Sequence, residues 1–451
     1  MHIWLHTIGY PPDRLGGTEV HVADLAEGLV RQGHMVDVSF FQLEDGLSAC
    51  SVVTEEHSGV RIHVLRASGG SWWPPDESDG DPRRKDLRAT FRHLVEQAKP
   101  AIVHFHPLHL DDTVDFVEEA ARLTTVLVSY HTPPLTCARG NLLRFGRKVC
   151  DGEIRVGRCA TCVLHQKGLP LPIARVVGRL PLGLCRSIRR LPALERIGRA
   201  SSMFSWSQRI AWNQDCLSRT LAASTQVVAV CSWVRDLLLA NGVPPSKVEV
   251  VRYGRHLDPV GTSFRPGPVV RFGYLGRLNF EKGVEVLLKA IERTSPDARF
   301  TVEFVSPAFE SALPDTDEAF LAQAIRKVAS QDPRVIVGGY VSPRQVAEKL
   351  IQWDALVVPS LWLETGPQVV TEAFHMQTPV IGSRRGGLQE LVIEARTGFL
   401  FTPGDAGALA ALLNRFAAEP GLLRGLRHLI PPARTADAMV DDLVSLYRGC
   451  S

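Results

Sequence analysis

The chain has 451 residues, of which 45% are hydrophobic and 22% charged, with a formal net charge of +3. That length accommodates two ordinary α/β domains, and that balance excludes a largely disordered chain. The small net charge gives no whole-chain case for nucleic-acid binding, no apolar run reaches the length of a membrane span, and no signal-peptide pattern precedes the first strand-like residues, so a cytoplasmic protein is expected.

Ile3 to Thr7 reads as a strand, followed by Gly9-Tyr10-Pro11-Pro12 and then Gly16-Gly17, which open a helix. Val22, Leu25, Ala26, Leu29 and Val30 recur at helical spacing and the helix stops at Gly33, before a second strand over Val36 to Phe41. Glycines between a strand and a helix let a ligand approach the backbone, which makes Gly16 and Gly17 candidate binding residues. Ser68 to Lys85, rich in Gly, Pro, Asp and Trp, reads as a surface loop. Ala101 to Phe105 is strand-like, with His104, His106 and His109 at its end; without a helix to align them they are expected to line a cleft or sit at a strand end rather than at a metal. Val126 to Tyr130 is another strand, and His131 follows at its carboxyl end, where open α/β sheets place ligand contacts.

Of the nine cysteines, Cys137, Cys150, Cys159 and Cys162 are separated by twelve, eight and two residues. The closing C-x-x-C is a ligand-pair spacing, and four thiolates can close a tetrahedral structural zinc site. An iron–sulfur cluster uses the same ligands, so it remains open at this point, as do a regulatory disulfide and a group of unrelated buried cysteines. Twelve arginines lie between Arg139 and Arg199, interleaved with leucine, isoleucine and proline and opposed only by Asp151, Glu153 and Glu195. A basic, apolar segment of this kind suits anionic lipid headgroups or a pyrophosphate-bearing acceptor, and a solvated basic face is the alternative. Sparse aromatic residues make it a poor nucleic-acid surface.

Gln226 to Cys231 is a strand, Ser232-Trp233 open a helix that ends at Asn241-Gly242, and Phe264 to Pro268 reads as a linker. Val270 to Leu275 begins a second alternation of strands and helices, with Arg277 and Lys282 in the loop that precedes a helix. Ala355 to Val358 is an apolar strand, and Glu364 and Glu372 follow it with seven residues between them. Glu364 lies in a Gly-Pro-containing turn with Gly366 and Pro367, whereas Glu372 lies inside a helix that begins near Pro367, with Gln368 and Val369 in its first turn. The first turn of such a helix aims unpaired N–H groups and the positive end of the helix dipole into the turn, where a diphosphate fits. Glu364 can then reach hydroxyls beyond the phosphates, and Glu372 a ribose.

The glutamate pair, the following Glu372-Ala373-Phe374 and Thr378 to Ile381, the Gly386-Gly387-Leu388-Gln389-Glu390 element and Thr397-Gly398-Phe399 resemble, in order and spacing, the retaining GT-B glycosyltransferases of family 4. The resemblance covers nearly the whole chain except an insert at about residues 137–220. It implies two Rossmann-like α/β domains facing a central cleft. One is an acceptor-side domain over 1–251, completed by the last helix at 432–451; the other is a nucleotide-sugar-binding domain over 252–431. It also implies that Gly16 and Gly17 face donor and acceptor, that His131 lies beside the donor sugar, and that Arg277 and Lys282 bind the donor diphosphate. Cations there stabilise the leaving group without a metal, so no obligatory catalytic metal is expected. The acidic pairs Asp111-Asp112 and Asp441-Asp442 lack the context of a metal-binding D-x-D. Tyr253 stands where the family has Asn before Gly254, so that turn is assigned no contact.

The function implied is retaining sugar transfer from a nucleoside-diphosphate sugar to a hydroxyl acceptor, with a lipid-linked or surface-polysaccharide intermediate as the favoured acceptor and a peripheral membrane contact through the basic insert. Two alternatives stand beside it: a nucleotide-sugar epimerase on the same fold, which would need no acceptor, and a non-catalytic metal or redox scaffold built on the cysteines.

Overall fold

The computed structural model describes the chain except residues 13–15, 45, 48, 69–81, 107–109, 134–135, 147, 190–201, 258–262 and 451. Most of the loop expected over 68–85 therefore lies outside the described residues, as do His109 and Arg147, Arg190, Arg196 and Arg199. The end of that loop is helical, because a helix Pro82–Ala98 begins on a proline, whose missing N–H is no loss at a helix start. The chain divides into two compact units, Met1–Arg252 with Met439–Ser451, and Tyr253–Ala438.

The first unit holds strands β1 (His2–His6), β2 (Met35–Glu44), β3 (Ser51–His57), β4 (Val60–Ser68), β5 (Ile102–Phe105), β6 (Thr125–Tyr130), the short pair β7 (Leu143–Arg144) and β8 (Lys148–Val149), β9 (Gln226–Ala229) and β10 (Val248–Val250). Eight of them form one sheet in the order β10-β9-β6-β5-β1-β2-β4-β3. Its pairings are parallel except that of β3 with β4, a hairpin whose Gly59 takes a left-handed φ of 77°. Parallel strands are covered on both faces, which is why β1, β5 and β6 are nearly continuous apolar runs. One face carries the helix Gly17–Arg31, burying Val22, Leu25, Ala26 and Leu29. Met439, Val440, Leu443, Val444 and Tyr447 of the last helix, Ala436–Cys450, join the same core at helical spacing. The basic insert forms short helices, Val156–Gln166, Leu171–Val177 and Leu182–Arg189, broken at Gly168 to Pro170 and at Gly178 to Pro181, and the longer Trp206–Ala223.

The second unit is a wholly parallel sheet of β11 (Val270–Leu275), β12 (Phe300–Val305), β13 (Val335–Gly339), β14 (Ala355–Val358), β15 (Val380–Ser383) and β16 (Gly398–Phe401). Their order, β13-β12-β11-β14-β15-β16, is that of a dinucleotide-type doubly wound sheet. Its chain order reverses between β11 and β14, the point at which open α/β sheets bind ligands outside the carboxyl ends of the strands. Gly283 lies in the loop after β11 with φ 73°, and a Cβ on it would stand 1.9 Å from the carbonyl oxygen of Pro359 in the loop after β14. Only glycine lets the loops approach this closely.

Gly283→Ala is therefore expected to cost at least about 2 kcal/mol and lower the melting temperature by several degrees in a circular-dichroism melt. Gly421→Ala, where a Cβ meets open space in the helix Pro420–Leu426, should leave it unchanged or raise it.

Candidate functional site

At the reversal point of the second unit, the loop after β11 carries Arg277 and Lys282. Arg277 is exposed, and its carbonyl oxygen accepts a hydrogen bond from the Tyr274 hydroxyl at 2.6 Å. Asn279 caps the short turn Phe280–Lys282, its side chain accepting the Lys282 N–H at 2.9 Å. Lys282 reaches across to the loop after β14, where its Nζ lies 2.7 Å from Glu364 Oε1 and 5.5 Å from the centre of the Trp362 ring. The Ser360 hydroxyl donates to the same carboxylate oxygen at 2.7 Å. Glu364 is buried, which by itself would push its carboxyl up, but the Lys282 ammonium and the two hydrogen bonds outweigh burial and hold it below the usual carboxylate range. It is a carboxylate at neutral pH.

The turn at Glu364 is held from behind. The N–H of Gly387 donates to the Glu364 carbonyl at 2.6 Å, and the Arg385 guanidinium donates to the Leu361 carbonyl. A Cβ on Gly386 would meet the Glu364 carbonyl at 2.8 Å and one on Gly387 would meet the Gly366 nitrogen at 2.8 Å. The double glycine thus admits the turn against the start of the helix Gly386–Leu391. Beyond Gly366, the helix Gln368–His375 begins after Pro367, and Glu372 lies on it, buried. Its carboxylate takes both Nε and Nη2 of Arg255, at 3.0 and 2.9 Å, and Arg255 is itself only 6% exposed. Two buried carboxylates, each neutralised by a cation, and an exposed arginine therefore surround a helix start that favours anions.

The first unit gathers histidines. His106 follows β5, His131 follows β6, and His21 lies on the helix Gly17–Arg31, for which Gly16 is the N-cap. All three are buried. Nδ1 of His106 and Nε2 of His131 are 2.9 Å apart, so one ring donates to the other. The ligand atoms of His21, His106 and His131 lie within 4.8 Å of one another, a set that can hold a metal ion. Behind them, His104 contacts the Tyr447 hydroxyl at 2.7 Å and the Ser129 hydroxyl at 2.9 Å, and His6 contacts the Ser39 hydroxyl at 2.9 Å. His106 does sit at a strand end, directly after β5, but contrary to the expected lack of alignment its ring meets those of His131 and His21 there.

Cys137, Cys150, Cys159 and Cys162 line one small cavity in the same unit. Among the described residues, the trio whose ligand atoms meet within 4.8 Å is the histidine set, not a set of these sulfurs.

Residues 16–254 match the model of the glycosyl transferase 4-like domain, and residues 265–429 that of glycosyl transferases group 1. The chain belongs to the glycosyl transferase 4-like family. Among curated glycosyltransferase relatives it is similar to the alpha-maltose-1-phosphate synthase of Mycolicibacterium smegmatis, 28% identical over 51% of this chain and 61% of that one. It is also similar to the glycogen synthase of Mycobacterium tuberculosis, 31% identical over 44% and 50%. The match thus spans about half to three-fifths of these relatives. An uncharacterized 42.6 kDa protein of the Klebsiella pneumoniae cps region is 24% identical over 87% of each chain. Solved structures with the same GT-B fold include sucrose-phosphate synthase from Thermosynechococcus elongatus, with a TM-score of 0.65 at 19% identity over 99% of this chain and 98% of that one. Anabaena Alr3699/HepE in complex with UDP has a TM-score of 0.61 at 14% identity over the whole of both chains.

Within this chain, Arg277 and Lys282 come from the loop after β11, Glu364, Gly366 and Pro367 from the loop after β14, and Gln368, Val369 and Glu372 from the helix that follows it, all at one reversal point. Gly16, Gly17 and His131 lie in the other unit. Sequence reasoning missed Arg255, Ser360 and His21. Arg255 directly follows the family turn at Gly254 and was legible as a basic residue beside a motif; nothing in the sequence pairs it with Glu372.

Burial holds His6 and His104 at about 3, against an ordinary value of 6.5, and puts His106 and His131 well below it. With a folded value below the unfolded one, each group binds its proton first in the unfolded chain. Stability is thus full above about pH 6.5 and is lost as pH falls toward 3, at up to about 1.4 kcal/mol per pH unit per histidine. The melting temperature should drop steadily between about pH 6.5 and pH 5, and His104→Gln should flatten the slope. A profile without slope in that range would contradict the buried neutral rings.

Proposed function

We propose that the protein is a retaining glycosyltransferase that moves a sugar from a nucleoside-diphosphate sugar to an acceptor hydroxyl. The observation that carries the reading is the convergence, at one reversal point, of Lys282 and its partner Glu364, Glu372 with Arg255, and the free face of Arg277. Arg277, Lys282 and the first N–H groups of the helix Gln368–His375 receive the diphosphate. Glu372 accepts from the ribose hydroxyls and Glu364 from hydroxyls of the sugar. The neutral imidazole of His131 and the glycine turn at Gly16 and Gly17 serve the sugar and the acceptor.

In the reaction, the bond from the anomeric carbon to the diphosphate oxygen breaks while the acceptor oxygen bonds to the same face of that carbon. The acceptor proton passes to a leaving-group oxygen. Charge accumulates on the terminal phosphate, where Lys282, held in place by Glu364, and a helix start are worth most because they need no reorganisation, and Arg277 adds a second cation. Glu364 holds its charge in an ion pair and acts by orientation and electrostatics rather than as a covalent nucleophile. The chemistry assigned to these residues needs no catalytic metal.

A lipid-linked or surface-polysaccharide intermediate is the acceptor we favour, with the enzyme at the inner face of a membrane. Supporting this, the helices Leu171–Val177 and Leu182–Arg189 expose Ile173, Val176, Leu182 and Leu184 next to Arg175, Arg179 and Arg186. No acidic residue occurs between Val156 and Arg189. No helix among the described residues is long and apolar enough to cross a membrane.

Titration with a panel of UDP, GDP and ADP sugars tests the donor assignment. One donor class should bind; Arg277→Ala should weaken it by about ten- to a hundredfold through the lost charge-assisted contact, and Glu372→Gln by about tenfold. Unchanged affinity in both variants would remove the diphosphate and ribose assignments together.

A further inference from the structure

The four cysteines of the insert take no part in the chemistry above, and their surroundings are those of a cross-linked module rather than of an apolar core. They arrive from three places: Cys137 at the end of the turn after β6, Cys150 directly after the hairpin β7–β8, and Cys159 and Cys162 on the first turns of the helix Val156–Gln166. All four line one small cavity, with room for an ion or water.

The backbone around the cavity is costly to hold. Within residues 140–152, Gly140, Gly146 and Gly152 take left-handed φ values of 78°, 74° and 75°, and so do Leu142 and Phe145, at 52° and 54°. Each non-glycine residue held there costs on the order of 1–2 kcal/mol. The hairpin they shape has strands of only two residues each, too short to sustain itself. Small modules without a core of their own are fixed by a metal or by disulfides.

One of these turns aims a backbone N–H at sulfur: Phe145 N–H donates to Cys162 Sγ at 3.2 Å. Such a bond stabilises a thiolate that binds a metal, as the outer partners of a metal site do. Arg139, Arg144 and Arg158 line the same cavity. A divalent ion held by four thiolates leaves two excess negative charges, which Arg139 and Arg144 oppose, while Arg158 is paired with Asp151. No pair among the nine cysteines is a disulfide in this structure.

We propose that Cys137, Cys150, Cys159 and Cys162 form a closed structural site for one tetrahedral divalent ion of the zinc class. On binding, the four thiols give up their protons to solvent and the ion draws the sulfurs inward around the cavity. The site pins the hairpin to the helix Val156–Gln166 and fixes the far end of the turn that begins at His131. There the Tyr130 and Thr136 hydroxyls bond at 2.6 Å, and Thr136 and Cys137 both donate their N–H to the Pro133 carbonyl, at 2.9 and 2.8 Å.

The test is elemental analysis of the full chain purified under reducing conditions without chelator. About one zinc per chain is expected, released by a mercurial thiol reagent. Cys159→Ser and Cys162→Ser should each lower it more than about tenfold, while Cys185→Ser and His106→Gln should retain it. Should the cysteine variants fail to fold, the cobalt-exchanged wild type gives the answer: intense thiolate-to-cobalt absorption is expected, and a spectrum of nitrogen ligation would overturn the assignment. Zinc lost in His106→Gln but kept in Cys159→Ser would move the ion to the histidine trio. Visible charge-transfer absorption with stoichiometric iron, or disulfides among these cysteines by peptide mapping with no metal bound, would each overturn it as well.

Discussion

Two carboxylates are buried after β14, Glu364 in the loop that leaves the strand and Glu372 on the helix that follows it, and the second unit is arranged so that neither is left without a cation. Glu364 takes Lys282 and Ser360; Glu372 takes Arg255. Breaking such a pair by removing one partner costs on the order of 3–5 kcal/mol, because the remaining charge stays in a poor solvent for it. The placement of the loops follows from that constraint. Gly283 brings the loop after β11 onto the carbonyl of Pro359, and Gly386 and Gly387 bring a helix start onto the back of the Glu364 turn. The strand order supplies the reversal point and the glycines supply the proximity. The ion pairs then fix where the carboxylates point.

The same elements show what a sequence can and cannot express. The strands β11 and β14, the turn at Gly366 and Pro367 and the helix after them were legible because each is a local pattern of apolar runs, glycine and proline. The order and spacing of the glutamates and the Gly386-Gly387 element carried the family resemblance. What escaped is pairing at a distance. Arg255 lies 117 positions before Glu372, and Lys282 lies 82 before Glu364. Lys282 was read as a phosphate ligand, but its carboxylate partner was not foreseen. His21 escaped for the same reason: it joins His106 and His131 only because its helix follows a strand that pairs directly with β5. The composition of the insert showed its charge and its cysteine spacing, while its left-handed turns and N–H donor to sulfur are features of the backbone.

The first unit illustrates a different use of burial. Its histidines form a cluster of neutral rings, in which His104 and His6 bond hydroxyls and His106 bonds His131 through Nδ1, while Nε2 of His106 is buried without a partner among the described residues. A neutral ring that holds a fixed tautomer is a better hydrogen-bond partner for a sugar hydroxyl than a mobile charge would be, because its donor and acceptor are already oriented. Histidine burial here and ion pairing in the second unit are two solutions to one problem, that of presenting polar groups in a dry environment at known protonation.

The central claim is that these residues hold a nucleoside-diphosphate sugar so that the acceptor attacks from the face the diphosphate leaves. The most direct measurement is the anomeric configuration of the newly formed glycosidic bond, read from the product by proton NMR. The account predicts the configuration of the donor sugar; an inverted product would contradict it, since a carboxylate committed to an ion pair with Lys282 would then have to serve as a general base.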